Sequence, residues 1–287
     1  MTAELGAAIA RAVPELPEVE TTVRGLAEVL QGARLLAVTP RRADLRFPFP
    51  PGLSEALAGA RVTGLGRRAK YGLVHVEAAD GRALTLIFHL GMSGRWRIDP
   101  EALGPHDHLL IETGAHRLVL CDPRRFGFVD LVETGALERW PAFAAMGPEP
   151  LGPDLTPEHL GRAFKGRKPA VKLLLLDQRI VAGLGNIYVC EALWRAGIDP
   201  RRPGARVFRP ALARLVPAIR AVLEQAIGQG GSTLRDFARP DGQLGYFATS
   251  FAVYGREGLP CLRCEDAAVR RIVQGGRSTW FCPACQR

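Results

Sequence analysis

The sequence predicts an α+β protein in two halves: a β-rich half that forms a sandwich or barrel after an initial helix, and a helical half that ends in a β-hairpin. Three patterns indicate this class. Short runs from about residue 73 to 133 alternate apolar and polar residues, as half-buried strands do. An amphipathic helical repeat covers residues 211–227, and two Cys-x-x-Cys pairs lie near the C-terminus. At 287 residues the chain is long enough for two well-buried domains.

The first predicted element is a helix that follows the run PELPEVE at residues 14–20. Apolar side chains recur at helical spacing from Val19 to Leu30, and Gly32 can close the element. Pro14 has two interpretations, and both can hold. It can open the helix. As a mature N-terminus it would instead be a secondary amine beside the Glu15 carboxylate, and free α-amino groups titrate near pH ~8, so part of the population would be nucleophilic.

The β-rich half contains three short predicted strands, at residues 73–77, 84–90 and 118–121. A proline-rich stretch then indicates a linker to the second half. Beyond it, Thr156 before Pro157 predicts a capped helix start, and the repeat at 211–227 predicts a long helix that ends at Gly228. Asn186 precedes a helical run at 187–196. It can act as a capping residue alone, or the helix start that it caps can hold a phosphate.

Charge indicates a polyanionic partner. Lysine and arginine outnumber aspartate and glutamate by 38 to 29, which gives a net charge of +9 and a pI near 9.7. One basic cluster is either a solvated face or a patch that follows phosphates, and it consists of Lys165, Arg167, Lys168 and Lys172. No apolar stretch approaches the ~20 residues that cross a bilayer. We therefore expect no membrane partner and a cytoplasmic protein.

Four cysteines form a predicted metal site. Cys261 and Cys264 are separated by two residues, and Cys282 and Cys285 repeat that spacing. Two such knuckles place four thiolates around one structural zinc ion, in preference to disulfides or an iron–sulfur centre. Between them, residues 269–273 and 277–281 predict two strands joined at a Gly-Gly turn, with Arg277 at the tip. An exposed arginine there is either a solvated turn residue or a contact for phosphate.

Three further motifs have open interpretations. His106-Asp107-His108 has metal-like spacing, but two histidines without a third ligand favour a nonmetal role. The run 122–127, DPRRFG, is a turn that pairs cations with an aromatic residue, which suits either a core position or insertion into stacked bases. The run 67–71, RRAKY, gives a strand a basic edge. No GxGxxG or Walker A sequence occurs, so we expect no nucleotide cofactor.

Taken together, these runs resemble the bacterial formamidopyrimidine-DNA glycosylases, which remove oxidised purines from DNA. The resemblance extends from Pro14 to the C-terminus, and PELPEVE favours this family over the related endonuclease VIII. The motifs that carry it, in chain order, are PELPEVE, RRAKY, HLGMSG at 89–94, HDH, DPRRFG, MGPEPL at 146–151, GLGNIY at 183–188, GYFA at 245–248 and the four cysteines.

The resemblance implies a role for each matched residue. Pro14 would attack C1′ of the damaged nucleotide, and Glu15 would move protons. Lys70 and Arg277 would be the proton donors for β- and δ-elimination. DNA-contact positions fall on His106, Arg124, Arg167 and Asn186, with arginine at 167 where the family usually has lysine. The damaged base must be everted, because C1′ is poorly accessible inside a stacked duplex. Met92, Arg124 and Phe126 would fill the space that the everted base leaves.

The resemblance also implies an organisation of the chain. It comprises a catalytic β-sandwich domain at 14–145, a linker at 146–156, a helix-two-turn-helix DNA-binding region at 157–238, a lesion-covering loop at 239–249 and a zinc finger at 250–287. The expected partner is double-stranded DNA with oxidised bases or abasic sites, bound by a monomer. In the family the catalytic proline is the first residue of the mature enzyme, whereas residues 1–13 precede Pro14 here.

An internal proline is a tertiary amide without a nucleophilic lone pair. We therefore expect Val13 to mark the start of translation, with residues 1–13 as a start-site extension. Two alternative functions stay open at this point. One is a noncatalytic zinc-containing protein that binds damaged DNA, and the other is an endonuclease VIII-like glycosylase for oxidised pyrimidines.

Overall fold

The computed structural model describes residues 14–232, 239–240 and 242–287. The chain divides into two compact units. The N-terminal unit runs to Ala145 and includes Gln229–Tyr246, and the C-terminal unit consists of Met146–Gly228 and Phe247–Arg287. The structure thus groups part of the regions predicted at 157–238 and 239–249 with the N-terminal unit. The proposed extension at 1–13 lies outside the described residues. Within the described residues, no helix has both the length and the apolar character needed to cross a membrane.

The N-terminal unit begins with helix α1, Leu16–Leu30. Its start is a capping box, in which the Glu15 side chain accepts from the backbone of Glu18 and the Glu18 side chain accepts from the backbone of Glu15. Apolar side chains on one face of the helix are buried, including Val19 and Leu26. Gly32 follows with a φ of +77°, a conformation that glycine adopts without strain. The predicted first helix is confirmed.

Eight strands follow, and they are β1 Leu35–Pro40, β2 Arg61–Arg68, β3 Tyr71–Glu77, β4 Ala83–His89, β5 Arg95–Ile98, β6 Asp107–Thr113, β7 Arg117–Cys121 and β8 Phe128–Glu133. They form two four-stranded antiparallel sheets, one ordered β2-β3-β4-β8 and the other β1-β6-β7-β5. A single buried cluster takes side chains from α1 and from both sheets, which makes the unit a β-sandwich with a flanking helix. The predicted strands at 73–77, 84–90 and 118–121 correspond to β3, β4 and β7. Two short helices complete it, α2 Leu53–Leu57 and α3 Pro141–Ala144.

The C-terminal unit is helical and ends in a hairpin. Thr156 caps helix α4, Pro157–Phe164, because its hydroxyl accepts from the backbone N–H of His159 at 3.1 Å. The long predicted helix is confirmed as α7, Arg209–Gly228. The helices are α4 Pro157–Phe164, α5 Val171–Leu176, α6 Asn186–Ala196 and α7.

The C-terminal hairpin pairs β9, Arg270–Gln274, with β10, Arg277–Phe281. Gly275 and Gly276 both have positive φ, at +55° and +73°, as a two-residue hairpin turn that follows the strand twist requires. Arg277 therefore stands beside the turn and is exposed. The hairpin predicted from the sequence is confirmed, with its first strand one residue later than predicted.

Candidate active site

The start of α1 is held by backbone hydrogen bonds to one buried carboxylate. Glu18 accepts the Glu15 N–H at 2.9 Å through Oε2 and the Ser232 N–H at 2.7 Å through Oε1. Pro14 and Glu15 are both buried, and Glu15 is only 4% exposed. The carboxylate of Glu18 also lies where the helix dipole favours negative charge. Ser232 is thereby attached to the point where the helix begins.

Lys70 lies in the turn between β2 and β3 and is half-buried. The preceding residue, Ala69, has a φ of +53°, which is uncommon for a residue with a side chain. Arg67 holds this turn against α1. Its Nε donates to Glu20 Oε2 at 2.9 Å and its guanidinium donates to the Ala69 carbonyl at 2.8 Å. The helix that Pro14 precedes and the turn that carries Lys70 are therefore joined through one arginine.

A row of rings lies next to Lys70, where Tyr71, His89 and Phe128 face one another across three neighbouring strands. The His89 ring is 5.0 Å from that of Tyr71 and 5.6 Å from that of Phe128. Burial, assisted by the positive charges of Lys70 and Arg46, lowers the pKa of His89 to about 4. His89 is therefore neutral at pH 7, and its Nδ1 accepts the Gly91 N–H at 3.0 Å.

The DPRRFG turn is organised by the buried Asp122 carboxylate. Its Oδ1 accepts the Ser93 hydroxyl at 2.6 Å, and its Oδ2 accepts the Gly127 N–H at 2.8 Å. Ser93 in turn accepts the Arg124 N–H at 3.1 Å. Because Ser93 directly follows Met92, this network places the Met92 turn beside the Arg124 turn.

The exposed end of that turn carries Phe126, whose side chain is 44% exposed. The Arg124 guanidinium lies 4.8 Å from the centre of the Phe126 ring. A cation over an exposed ring presents charge and aromatic surface together, which suits contact with nucleic acid. Met92, Arg124 and Phe126 are thus brought together in the N-terminal unit.

The HDH run contributes to the same network through its backbone and second histidine. Asp122 donates its N–H to the His106 carbonyl at 2.9 Å, and His108 Nε2 is 2.9 Å from the Asp122 carbonyl oxygen. Asp107 pairs with Arg97 at 2.5 Å. The His106 side chain itself is exposed. These contacts give the run a structural role beside DPRRFG.

The four predicted cysteines converge in the C-terminal unit. Their sulfur atoms all lie within 4.8 Å of one another. Cys261 Sγ is 3.7 Å from Cys285 Sγ, and Cys264 Sγ is 3.6 Å from Cys282 Sγ. Tetrahedral zinc with Zn–S bonds of about 2.3 Å requires sulfurs about 3.8 Å apart, so these ligands fit one structural zinc ion. Cys121 and Cys190 are buried thiols outside this cluster.

The hairpin that carries Arg277 is anchored by two side chains from distant helices. Lys172, on α5, donates its ammonium to the Ser278 carbonyl at 3.0 Å and to the Thr279 hydroxyl at 2.6 Å. Asn186, at the start of α6, donates its amide to the same Ser278 carbonyl at 2.9 Å. Both donors act on the residue that follows Arg277, so they fix the direction in which β10 leaves the turn.

Two sequence predictions fail at these anchors. Lys172 is fully buried, so it belongs neither to a solvated face nor to a phosphate-following patch, whereas Arg167 and the two other basic residues of that cluster are exposed. Asn186 is the first residue of α6 and makes no capping hydrogen bond, because Gly185 occupies the cap position. Its amide is committed to the hairpin instead. Sequence reasoning could not detect either contact, because each joins residues more than ninety positions apart.

Glu191 is a further buried charged residue that the sequence did not single out. It is 1% exposed, and its carboxylate accepts three backbone N–H groups, from Ala252, Val253 and Tyr254, at 2.9–3.0 Å. Burial raises the pKa of Glu191, and the three N–H groups oppose that shift. Glu191 thereby holds the segment that leads into the zinc-binding knuckles.

The predicted lesion-covering loop is described except for residue 241. Within it, Arg239 donates its N–H to the Gln243 carbonyl at 2.8 Å, and Leu244 and Tyr246 are more than half exposed. Gly245 passes so close to the Gly231 carbonyl that a Cβ atom would lie 2.3 Å from its oxygen, so only glycine fits there. The exposed Leu244 and Tyr246 side chains give this loop an apolar surface, and such a surface can bind a ligand.

Comparison with known proteins gives matches along the chain. The family model of the formamidopyrimidine-DNA glycosylase N-terminal domain matches residues 13–129. The H2TH domain of the same glycosylases matches residues 146–238, and the zinc finger found in FPG and IleRS matches residues 258–287. Two relatives named formamidopyrimidine-DNA glycosylase are similar over their whole length and 96% of this chain. That of Erythrobacter litoralis is 66% identical and that of Novosphingobium aromaticivorans is 67% identical.

Solved structures agree with these matches. The MutM (FPG) protein of Thermus thermophilus is 40% identical and superposes with a TM-score of 0.84 over 95% of this chain and 98% of that one. A Lactococcus lactis Fpg in complex with DNA that contains an abasic site is 32% identical, with a TM-score of 0.86 over 95% of this chain and 99% of that one.

Proposed function

This chain belongs to the formamidopyrimidine-DNA glycosylase family and is a zinc-containing base-excision repair DNA glycosylase and AP lyase, and from this we propose which residues carry its chemistry. The proposed catalytic residues are Pro14, Glu15, Lys70 and Arg277. The observation that supports this most directly is the Arg67 bridge. It joins α1, which Pro14 and Glu15 precede, to the turn that carries Lys70. A nucleophile and a cationic proton donor can act on one nucleotide only if the fold fixes both.

The proposed reaction begins when the Pro14 nitrogen, as a free secondary amine, attacks C1′ of the damaged nucleotide. The bond from C1′ to the base breaks, and Glu15 transfers protons as the base leaves and the sugar ring opens. The resulting iminium has no N–H to lose, so it stays cationic and withdraws electrons from C2′. Loss of a C2′ proton to solvent then expels the 3′ phosphate with Lys70 as proton donor, and loss of the C4′ proton expels the 5′ phosphate with Arg277 in that role. Water finally hydrolyses the iminium and frees the Pro14 amine. A single-nucleotide gap remains.

This chemistry requires an amine at Pro14. Within a longer chain the same nitrogen is a tertiary amide and cannot attack carbon. We therefore propose that the active form begins at Pro14, after initiation at Val13 and removal of the initiator residue. The mass of the enzyme from its native host tests this directly, and an active enzyme that retains residues 1–13 would contradict it.

The contacts with DNA are proposed from exposure and charge. The Arg124 and Phe126 side chains contact each other, and the Ser93 hydrogen bond holds the turn of Met92 beside them, which supports a role of all three in filling the space of an everted base. The exposed side chains of His106 and Arg167 support contacts with phosphate, and the position of Asn186 at a helix start supports the same role. We propose oxidised purines as the substrates, in a cytoplasmic enzyme in contact with the nucleoid. One chain carries all four proposed catalytic groups, which supports action as a monomer.

The decisive experiment is reductive trapping on damaged DNA. A protein that begins at Pro14 should become covalently attached to 8-oxoguanine DNA in the presence of borohydride, because hydride reduces the iminium to a stable amine. The matched control is the chain with residues 1–13, which should not attach. Lys70→Gln in the shorter protein should still attach, while strand cleavage at a preformed abasic site falls.

The same assay separates the alternative functions. A noncatalytic binding protein would retain damaged DNA without any covalent product in either form. An endonuclease VIII-like enzyme would be trapped more efficiently on thymine glycol DNA than on 8-oxoguanine DNA. Equal binding with no trapping of the Pro14 form would overturn the catalytic assignment.

A further inference from the structure

The end of α6 lies against the zinc-binding knuckles. After Gly197, which ends the helix with a φ of +68°, the Gly197 carbonyl accepts the Arg287 N–H at 3.1 Å. The next carbonyl, that of Ile198, accepts the Gln286 side-chain amide at 2.9 Å. Gln286 also accepts the Cys282 N–H at 2.8 Å. These backbone and side-chain contacts fix the end of the helix relative to the four thiols.

Trp194 occupies that last turn and contacts a zinc ligand directly. Its indole N–H donates to Cys261 Sγ at 3.4 Å, a normal distance for a hydrogen bond to sulfur. Cys261 is only 1% exposed. Arg263 covers one face of the indole, with its guanidinium carbon 4.4 Å from the ring centre, and its guanidinium also lies 4.0 Å from Cys285 Sγ. The Arg263 guanidinium also donates to the Arg195 carbonyl at 3.1 Å, so Arg263 is attached to the same helix that carries Trp194.

We propose that Trp194 is a positioning residue for the zinc site, which acts through Cys261 and slows the loss of zinc. A hydrogen bond to a metal-bound thiolate fixes the direction of its lone pairs and draws negative charge away from the sulfur, so the thiolate is less readily displaced. Arg263 holds the indole in place through a cation–π contact. The inference concerns retention of zinc and does not depend on the chemistry at Pro14.

The position of Trp194 gives this contact a consequence for the hairpin. Helix α6 contacts the finger at both ends, through Asn186 on the Ser278 carbonyl and through Trp194 on Cys261. A zinc ion held by Cys261 therefore also fixes the end of the helix whose other end anchors β10. Retention of zinc and the placement of Arg277 are joined through one element.

The test replaces the indole by a ring without a donor. In zinc-loaded full-length protein, Trp194→Phe should release zinc to an excess of the chelator 4-(2-pyridylazo)resorcinol about tenfold faster than the parent, at the lower end of the range for hydrogen bonds to metal ligands. The matched control is Trp140→Phe. The Trp140 indole donates to the Asp130 carboxylate at 2.7 Å in the N-terminal unit, so the same change there should leave zinc release unchanged.

A spectroscopic measurement separates the hydrogen bond from simple packing. In the cobalt-substituted protein, loss of the N–H should make the thiolate more electron-rich and move the sulfur-to-cobalt absorption to longer wavelength in Trp194→Phe. Arg263→Ala leaves the Trp194 N–H in place but removes the cation–π contact and the 4.0 Å contact of the guanidinium with Cys285 Sγ, and we expect zinc release about threefold faster with little shift of the cobalt band. If neither variant released zinc faster than the parent, the proposal would be overturned. Faster zinc release from Trp194→Phe without a shift of its cobalt band would also overturn it, because packing alone would then explain the loss.

Discussion

Lys70 and Arg277, the two cations proposed as proton donors, are placed in different ways. Lys70 lies in a two-residue turn between adjacent strands, and the arginine that holds the turn is only three residues away in sequence. Arg277 lies beside a similar turn, but the hairpin around it is anchored by Lys172 and Asn186 from distant helices and by four cysteines. One placement is mainly local, and the other depends on contacts across the C-terminal unit.

The difference predicts how each region responds to change. A two-stranded hairpin is marginally stable alone, so the hairpin at Arg277 requires its anchors. The turn at Lys70 belongs to a four-stranded sheet packed on a buried core, which remains when one polar contact is lost. Disturbances of the C-terminal unit should therefore act on DNA binding with the N-terminal unit still folded.

The largest expected effect comes from removal of a zinc ligand. Cys282→Ser should release or strongly weaken zinc, because a structural zinc ion contributes folding free energy directly. The hairpin is then no longer held by the zinc site. Binding to lesion DNA should fall by at least about a hundredfold, since the loss of a metal ligand is among the most destabilising single changes. Zinc content and DNA affinity are measured on the same preparation.

Cys190→Ser is the matched control, because that thiol is buried in the same unit outside the cysteine cluster. It should retain zinc. If Cys282→Ser kept both zinc and normal binding, the assignment of the site would fail. If the β-sandwich unfolded together with the finger, the two regions would not be independent.

The second prediction perturbs only the N-terminal unit, through the pKa of His89. That pKa is lowered from 6.5 to about 4, so between these pH values the unfolded chain binds a proton that the native protein excludes. The free energy of unfolding should therefore fall as the pH drops through this window, by about 3 kcal/mol at most for a shift of this size.

His89→Asn keeps an acceptor for the Gly91 N–H and removes the titration. Urea unfolding of both proteins at several pH values between 7 and 4 gives the comparison. The variant should lose less stability on acidification, and the difference isolates His89 because both proteins have the same zinc site. If the unfolding free energies of the two proteins changed in parallel with pH, His89 would bind its proton at the same pH in the native and the unfolded protein, and the prediction would be wrong.

The third prediction removes an anchor and leaves the zinc ligands in place. Lys172→Met fills similar volume but takes the donor away from the buried Thr279 hydroxyl, which should lower the free energy of unfolding by about 1–3 kcal/mol. Affinity for lesion DNA should fall while zinc content stays normal. Lys168→Met is the control, because that side chain is exposed in the same basic run and should cost little stability. Equal losses in the two variants would contradict a specific role for the buried amine.

The sequence predicted most of what depends on local pattern. The α1 helix, the β3, β4 and β7 strands of the sandwich, the Thr156 cap and the Gly275-Gly276 turn each follow from spacing or from a residue with a special backbone preference. The cysteine site followed from spacing as well, since two knuckles determine their own ligands. The position of Arg277 beside the hairpin turn also followed from local pattern, whereas the catalytic roles of Lys70 and Arg277 came from the family resemblance and stay predictions.

The contacts that the sequence missed are polar and distant. Lys172 was grouped with exposed neighbours because nothing in its local run indicates burial, and its partners lie more than a hundred residues away. Asn186 was assigned to a cap because helix starts favour asparagine, yet the tertiary contact with Ser278 took its amide. Glu191 and Trp194 lie on a helix whose apolar spacing gives no sign of a polar partner in the finger. Tertiary context decides these positions.

The smallest expected effect concerns Arg277 itself, and it separates the placement of the residue from its chemistry. Arg277 is exposed and contributes to neither the zinc site nor the anchors at Ser278, so Arg277→Ala should leave zinc content and the unfolding free energy unchanged. A guanidinium beside a hairpin turn can bind phosphate oxygens through paired hydrogen bonds. In a protein that begins at Pro14, its loss should weaken lesion binding and reduce the slope of log affinity against log salt by about 0.9, the contribution of one phosphate in duplex DNA.

Base excision and strand cleavage should both fall in Arg277→Ala, because the DNA loses a phosphate contact that holds it on the enzyme. Preference among lesions should change little, since a phosphate contact carries no information about the base. Binding titrations at several salt concentrations and cleavage assays on two lesions measure these effects. A variant with the parent's salt slope and full cleavage would make Arg277 a solvated turn residue. The anchors at Lys172 and Asn186 would then serve only the fold of the finger.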